Sequence, residues 1–359
     1  MAATRLAASA PTPAAPRPET VSRPIKPLPA HLVENAATTV KAPFDPAIHV
    51  DFMPPKAVVM MKDIGLEGHG ISPVAASEPF RLFTDDAVRQ FRAEIFSKPV
   101  LDNCQVSSNL APNMIRAYAA DYGPFAYSVW HHPKVLDIIS NVAGVDLTVA
   151  MDIDVAHINV SVNDEEVCIA EKNTATGTGT KTAAATATAT QTPAFAWHYD
   201  SYPFVVVTML SDCTDMKGGE TVLRTASGET MKVRGPSMGT AVVLQGRYIE
   251  HQALKAWGGR ERVSMVTSFR PKSPFLKDET VLAGLRGITD LSLLYHQYAE
   301  YRFQVLETRF GQKRRQLLES FRHADADARK FDLQGIRSFL DEQRQYMEDM
   351  LKELVPYPY

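Results

Sequence analysis

The amino-acid sequence predicts a mainly β fold, a sandwich or jelly roll with flanking helices, and three observations predict it. From Leu147 to Phe269, short apolar runs rich in Val, Thr and Phe alternate with Gly, Pro, Asp and Ser, the signature of short strands joined by turns. After Pro274 the period changes, and Leu291, Leu294, Tyr295, Tyr298, Tyr301 and Val305 recur every three or four residues, as on one helix face. Ahead of both, residues 1–45 are rich in Ala, Pro and Thr, and repeated prolines such as Pro11 and Pro13 oppose regular structure.

In chain order, 1–45 is expected to be a disordered leader. It carries Arg5, Arg17 and Arg23, and Glu19 is its only acidic residue before Glu34, so a transit peptide is the alternative to a plain tail. Residues 46–275 form the main domain, mixed and mostly helical up to about 145. There Thr84-Asp85-Asp86 caps a helix running through Phe96, because these side chains accept bonds from free N–H groups of a first turn. Pro133 opens another, with Val135, Leu136, Ile138 and Ile139 as its apolar stripe and Gly144 as its stop.

The β-rich core begins at about 147. Its predicted strands are 147–151, 155–162, 196–200, 204–210, 221–225, 229–233, 240–244, 248–252 and 262–269. Between the second and third lies a Thr/Ala/Gly tract at 174–193, too poor in large apolar groups to pack, and expected as a mobile loop beside the site described below. Residues 276–359 form a helical extension that braces the core. Leu317, Leu318, Phe321, Ile336, Phe339 and Leu340 continue its stripe, which could instead join two copies as a homodimer.

Composition narrows the function. A chain of 359 residues with 45% hydrophobic content buries one large core, and a formal net charge of −3 offers nucleic acid or an anionic membrane no complementary surface. Cys104, Cys168 and Cys213 are odd in number and widely spaced, which suits reduced thiols in a cytoplasmic protein. No apolar run is long enough to span a bilayer.

The chemistry concentrates in Trp197-His198-Tyr199-Asp200, Tyr248-Ile249-Glu250-His251 and Arg262-Val263-Ser264. On a strand, the period of two sends the His198 and Asp200 side chains to one side, where they can share a metal ion. His251, which closes a second β-rich run, is the candidate third ligand. Two imidazoles and one carboxylate form the facial triad of non-heme Fe(II) oxygenases, which leaves metal positions open for reaction.

The order H-x-D, distal His, then R-x-S resembles the Fe(II)/2-oxoglutarate-dependent oxygenase superfamily over roughly residues 147–271, and Gly218-Gly219-Glu220 is similar to the glycine turn such proteins carry between the first two elements. The helical tail on one domain resembles fungal secondary-metabolism members. The resemblance implies a double-stranded β-helix, Fe(II) on His198, Asp200 and His251, and 2-oxoglutarate as cosubstrate. It also implies O2-dependent oxidation of a C–H bond in a small-molecule substrate, by hydroxylation, desaturation or ring closure, with succinate and CO2 released. Asp200 argues against halogenation, since halogenases of this kind leave that position to a halide. The far carboxylate of 2-oxoglutarate requires a cation: Arg262 offers a planar fork, and Ser264, in the same strand phase, adds a hydrogen bond. Asn159 is a further candidate contact, and Arg260 an alternative clamp.

Other residues have plainer readings. His131, His132, His296 and His323 are assigned to surface or capping roles; His157, two residues from Asn159 on the same predicted strand, is assigned to the core, with the cavity that Asn159 faces as its alternative. Tyr199, Tyr202, Phe204 and Trp257 flank the ligands and could line a pocket. Gly235-Pro236-Ser237-Met238-Gly239 matches the G-x-S-x-G of serine hydrolases, which needs a strand–turn–helix setting, whereas a strand is expected to follow it here. A serine hydrolase through Ser237 and a catalytically silent jelly-roll binding module are the alternative functions.

Overall fold

The structure, a computed structural model, describes residues 28–107, 113–162, 193–233, 235, 237–257, 261–323 and 331–356. Its strands in chain order are β1 (Val58–Met60), β2 (Val74–Ser77), β3 (Phe80–Arg81), β4 (Gln105–Val106), β5 (Met114–Ile115), β6 (Leu147–Val149), β7 (His157–Val162) and β8 (Pro193–His198). They continue with β9 (Phe204–Met209), β10 (Lys217–Gly218), β11 (Thr221–Arg224), β12 (Thr230–Val233), β13 (Thr240–Leu244), β14 (His251–Leu254), β15 (Ala256–Trp257) and β16 (Glu261–Pro271). The helices are α1 (Ala30–Ala37), α2 (Pro46–His49), α3 (Asp85–Ile95), α4 (Lys98–Cys104), α5 (Ala119–Tyr122), α6 (Pro124–His131), α7 (Pro133–Ala143), α8 (Leu291–His323) and α9 (Leu333–Glu353).

Two antiparallel sheets dominate. A ten-stranded sheet runs β1-β2-β13-β9-β16-β7-β5-β4, with β3 on β13 and β6 on β16, and a four-stranded sheet runs β12-β11-β14-β8. Strand alternation sorts the large sheet into two faces. Phe204 and Val206 of β9, Ala241 and Val243 of β13, and Val263, Met265 and Phe269 of β16 pack on the helical side, with Phe91, Phe125 and Trp130 in one core. The intervening residues, Val205, Val207, Val242, Leu244, Arg262, Ser264, Val266 and Ser268, turn toward the small sheet and line a cavity between the two.

Local signals explain the helices that back this face. The Thr84 hydroxyl accepts from the Ala87 N–H and caps α3, and Gly144, with φ 70°, ends α7 in the left-handed region open to glycine. The His132 imidazole accepts from the Lys134 N–H, the expected capping role.

Several expectations are corrected. Residues 28–45 are not an unstructured tail: α1 forms there, with Leu32 fully buried in the main core and His31 bonded to Glu261 of β16, while 1–27 lie outside the described residues. Nor does the β structure begin at 147, since β1 to β5 all join the large sheet and extend it from both ends. The run expected at 248–252 is a turn up to Glu250 followed by β14, so His251 opens a strand instead of closing one. The preceding turn is fixed by Gln245, fully buried, whose carbonyl accepts from the Ile71 N–H at 2.8 Å and whose amide donates to the Val74 carbonyl at 2.8 Å.

The helical extension also packs differently. Leu294, Tyr298, Tyr301 and Val305 of α8, with Tyr346 and Met350 of α9, bury against Ala150–Ile153, Tyr202, Leu282 and Leu285. Farther along, Leu317, Leu318 and Phe321 of α8 and Leu340 of α9 are exposed, so the predicted stripe is covered over only part of its length. Among the described residues no helix is long and apolar enough to cross a membrane. The 174–193 tract lies outside the described residues except for Pro193.

Leu32→Ala tests the docking of α1. Removing a fully buried Leu side chain typically costs about 2–5 kcal/mol, so the urea midpoint of unfolding should fall clearly, and an unchanged midpoint would contradict the packing seen here.

Candidate metal centre

Strands β8 and β14 pair with His198 opposite His251, bringing the two imidazoles to a 4.3 Å centroid separation. Asp200 lies two residues beyond the end of β8, so it reaches the same point through a turn and not by strand alternation. Its N–H donates to the Gly246 carbonyl at 3.0 Å, pinning it to the turn ahead of His251. Asp200 Oδ1 then stands 3.4 Å from His198 Nε2 and 3.5 Å from His251 Nε2. One ligand atom from each of the three residues falls within 4.8 Å of the others.

Backbone carbonyls orient both rings. His198 Nδ1 donates to the Ala196 carbonyl at 2.7 Å and His251 Nδ1 to the Ile249 carbonyl at 2.9 Å, which directs both Nε2 atoms inward. Outside them, the Arg224 guanidinium stacks 4.3 Å from the Trp197 ring and bonds Glu250 at 2.8 Å, tying together the neighbours of His198 and His251. Asp200 Oδ2 is buried with no hydrogen-bond partner among the described residues and lies against Gly246: a Cβ built there would come within 1.8 Å of it. Any side chain at 246 would displace the carboxylate.

The titration behaviour follows from this geometry. Burial would raise the Asp200 pKa, but the charge of His251 and the hydrogen bonds of both imidazoles outweigh it and hold the carboxyl well below the usual range. Burial would lower the His198 pKa, yet its bond to Asp200, the Asp200 charge and the Ala196 carbonyl raise it overall. Once their Nε2 protons are released, the two imidazoles and the carboxylate between them are a donor set suited to a divalent cation.

The same cavity, of about 250 Å3, holds Arg262, Ser264 and Asn159. Arg262 Nη1 lies 3.4 Å from Ser264 Oγ, and among the described residues no carboxylate pairs with this guanidinium. Burial lowers its pKa, partly offset by the neighbouring Cys213. Asn159 stands opposite Ser264 in the β7–β16 register, and its Oδ1 is buried with no partner among the described residues. The Gly218-Gly219 turn joins β10 to β11 at φ 78° for both residues and passes beside Arg262: a Cβ at Gly219 would lie 3.9 Å from Arg262 Nε. Arg260 lies outside the described residues.

Tyr202 lines the cavity, whereas Tyr199 is exposed and Phe204 belongs to the core on the other face; the Trp257 side chain lies outside the described residues. His131 pairs with Asp152 at 3.2 Å and His296 is exposed, while the His323 side chain lies outside the described residues. Ser237 is exposed, and Gly239 leads directly into β13, so the strand–turn–helix of a nucleophile elbow is not formed. His157 proves to be more than a core residue. It lines the cavity together with Arg116 and Asp154, two residues that no sequence pattern singles out.

No known family's profile matches the sequence, and no curated protein matches it. Among solved structures the chain is similar to a 2OG-Fe(II) oxygenase family oxidoreductase from Burkholderia pseudomallei, at 14% identity over 44% of this chain and 65% of that one, with a TM-score of 0.30. It is similar to a Pseudomonas putida prolyl-4-hydroxylase at 16% identity, over 58% of this chain and 95% of that one, with a TM-score of 0.33. It is also similar to the non-heme α-ketoglutarate-dependent epimerase SnoN of nogalamycin biosynthesis, at 14% identity over 52% of this chain and 73% of that one, again with a TM-score of 0.33. The chain thus spans less than two thirds of the Burkholderia protein. These likenesses are distant, and the case for chemistry rests on the side chains above.

Two outcomes test the centre. Gly246→Ala should weaken Co(II) or Ni(II) binding, read by calorimetry, with the thermal transition little changed; full affinity would show that Asp200 is not needed where it lies. Protons compete with metal for the imidazoles. Because the His198 pKa is raised above 6.5, metal affinity should fall as pH drops through that region, by up to about tenfold per pH unit for each proton displaced. A flat profile between about pH 8 and 6 would contradict the assignment.

Proposed function

We propose that this chain is an Fe(II)- and 2-oxoglutarate-dependent oxygenase, with the two facing sheets forming a double-stranded β-helix. His198, Asp200 and His251 would hold the iron. Arg262 with Ser264, and Asn159 opposite them, would take the far carboxylate of 2-oxoglutarate. The observation that carries the proposal is the presence, in one cavity, of an imidazole–carboxylate–imidazole cluster and a buried guanidinium with no carboxylate of its own among the described residues. A buried cation without a counter-charge is costly to maintain, and an anionic cosubstrate with its other end on a metal supplies the missing charge.

Iron with 2-oxoglutarate bound supplies the oxidising chemistry for a C–H bond, consuming O2 and releasing succinate and CO2. The chain's own groups prepare the site. The Ala196 and Ile249 carbonyls hold both imidazoles with Nε2 inward, Gly246 leaves room for Asp200, and Val205, Val207, Val242 and Leu244 keep the neighbouring wall dry. Hydroxylation, desaturation and ring closure are all open to such a centre. A role in secondary metabolism is part of the proposal, supported by the resemblance of the domain layout. Among the described residues Cys104 and Cys213 form no disulfide, which supports a cytoplasmic setting, and the exposed Leu317, Leu318 and Phe321 support a homodimer through α8 and α9.

The test is anaerobic addition of Fe(II) and 2-oxoglutarate to metal-free protein, watched for the weak visible charge-transfer band of the chelate. It should appear only with both components, and its absence would return the fold to a silent binding module. Arg262→Ala should raise the 2-oxoglutarate concentration needed by the equivalent of about 2–5 kcal/mol, the usual loss when one partner of a buried charge pair is removed. An unchanged requirement would move the clamp to Arg260.

A further inference from the structure

Opposite the small sheet, the cavity floor is a lattice whose rows can be read from strand register. Asn159 and Ser264 form the row at the clamp. One inward-facing position farther along, about 6.7 Å, His157 of β7 stands opposite Val266 of β16, which pairs with Val207 of β9 and through it with Val242 of β13. This row is polar at one end and aliphatic at the other.

His157 is held in a single state. Arg116 Nη1 lies 2.9 Å from His157 Nδ1, and a guanidinium has only donors, so Nδ1 must accept and the ring proton sits on Nε2. Arg116 is anchored by an ion pair to Asp154, whose other oxygen accepts from the Tyr202 hydroxyl; all three side chains are buried. A second proton would place Nδ1–H against the guanidinium, so burial first and the Arg116 charge second keep the ring neutral far below its ordinary pKa. His157 is therefore a permanent donor. Its Nε2 is closed to bulk solvent and has no acceptor among the described residues, although the side chain lines the cavity.

We infer that His157 Nε2–H is the group that selects the organic substrate, by donating to a neutral acceptor oxygen such as an amide, lactam or ketone carbonyl. The hydrocarbon remainder would lie across the row on Val207 and Val242. This rests on the oxygenase proposal, because the clamp row must be left to 2-oxoglutarate. Charge excludes the alternatives: Arg262 and a divalent metal balance Asp200 and dicarboxylate 2-oxoglutarate, and Arg116 is already neutralised by Asp154. An anionic substrate would find no unpaired cation beyond Arg262 among the described residues of the cavity and would face Asp154, which also lines it. A cationic one would meet an N–H donor that offers it no lone pair. The volume of about 250 Å3 lies below the roughly 300–1,000 Å3 of drug-sized sites, so the recognised part of the substrate is small.

The test uses the full chain loaded with Ni(II) and 2-oxoglutarate, and three matched probes followed by saturation-transfer NMR: δ-valerolactam, piperidine as its cation, and cyclohexanecarboxylate. The lactam should bind in preference to both. His157→Phe should weaken it about tenfold or more while the 2-oxoglutarate affinity, measured by calorimetry, changes less than about twofold; His157→Gln, which restores an N–H, should recover most of the loss. The inference is overturned if the lactam does not bind, if either charged probe binds as well, or if His157→Phe leaves the lactam unaffected or weakens 2-oxoglutarate instead. Independently of any variant's folding, 15N chemical shifts should show His157 as the neutral Nε2–H form across about pH 5 to 8, and charging within that range would refute it. Wild-type protein that takes up neither Ni(II) nor 2-oxoglutarate would sink the oxygenase proposal itself, whereas the 15N measurement would still report on the donor.

Discussion

The site depends on one pairing, that of β8 with β14, in which His198 stands opposite His251. Side chains alternate with a period of two, so a slip of one residue in this register would send one imidazole to the outer face. The register is secured away from the ligands. Arg224 bridges Trp197 and Glu250 on the outer side, the buried amide of Gln245 fixes the approach to β14, and the Asp200 N–H on the Gly246 carbonyl joins the end of β8 to that same turn. Each of the three residues is thus held through its chain neighbours, with Nε2 of both imidazoles turned toward Asp200.

β16 is the second organising element. Its outward residues Val263, Met265 and Phe269 are ordinary core, while Arg262, Ser264, Val266 and Ser268 lay out the cavity floor from charged to aliphatic to weakly polar. A single long strand, paired on one side with β7 and on the other with β9, sets the distance between the Arg262 guanidinium and the aliphatic part of the cavity floor. Backbone hydrogen bonding on both edges makes that distance stiff.

What could be read from the sequence was what local pattern encodes. His198 and Asp200 are neighbours, Arg262 and Ser264 share a strand phase, and the caps at Thr84 and Gly144 act within a turn, so their proximity is legible without the fold. The sequence pattern groups His251 with them but puts its strand too early, because the turn before it is held by Gln245 bonding to residues about 170 positions away. β4 and β5 are two-residue strands defined by their partners, too short to leave a periodic signal. Arg116 and Asp154 read as unremarkable polar residues, and the strand phase that sets His157 beside Asn159 gives no sign of the guanidinium that fixes its proton until tertiary structure buries them together. The eight residues of α1 lie among prolines, and only their contact with the core explains the helix.

The attachment of α1 also bears on where the folding unit starts. His31 bonds Glu261 at 2.7 Å, and Arg92 of α3 reaches the other oxygen of the same carboxylate at 2.8 Å, immediately before Arg262. A shortened chain beginning at residue 46, where composition suggests a boundary, would lack one of the two struts on the end of the strand that carries the buried guanidinium. The end of β16 is therefore anchored by a segment that looks dispensable, and a chain truncated at that point would fold with its Arg262 guanidinium less firmly placed.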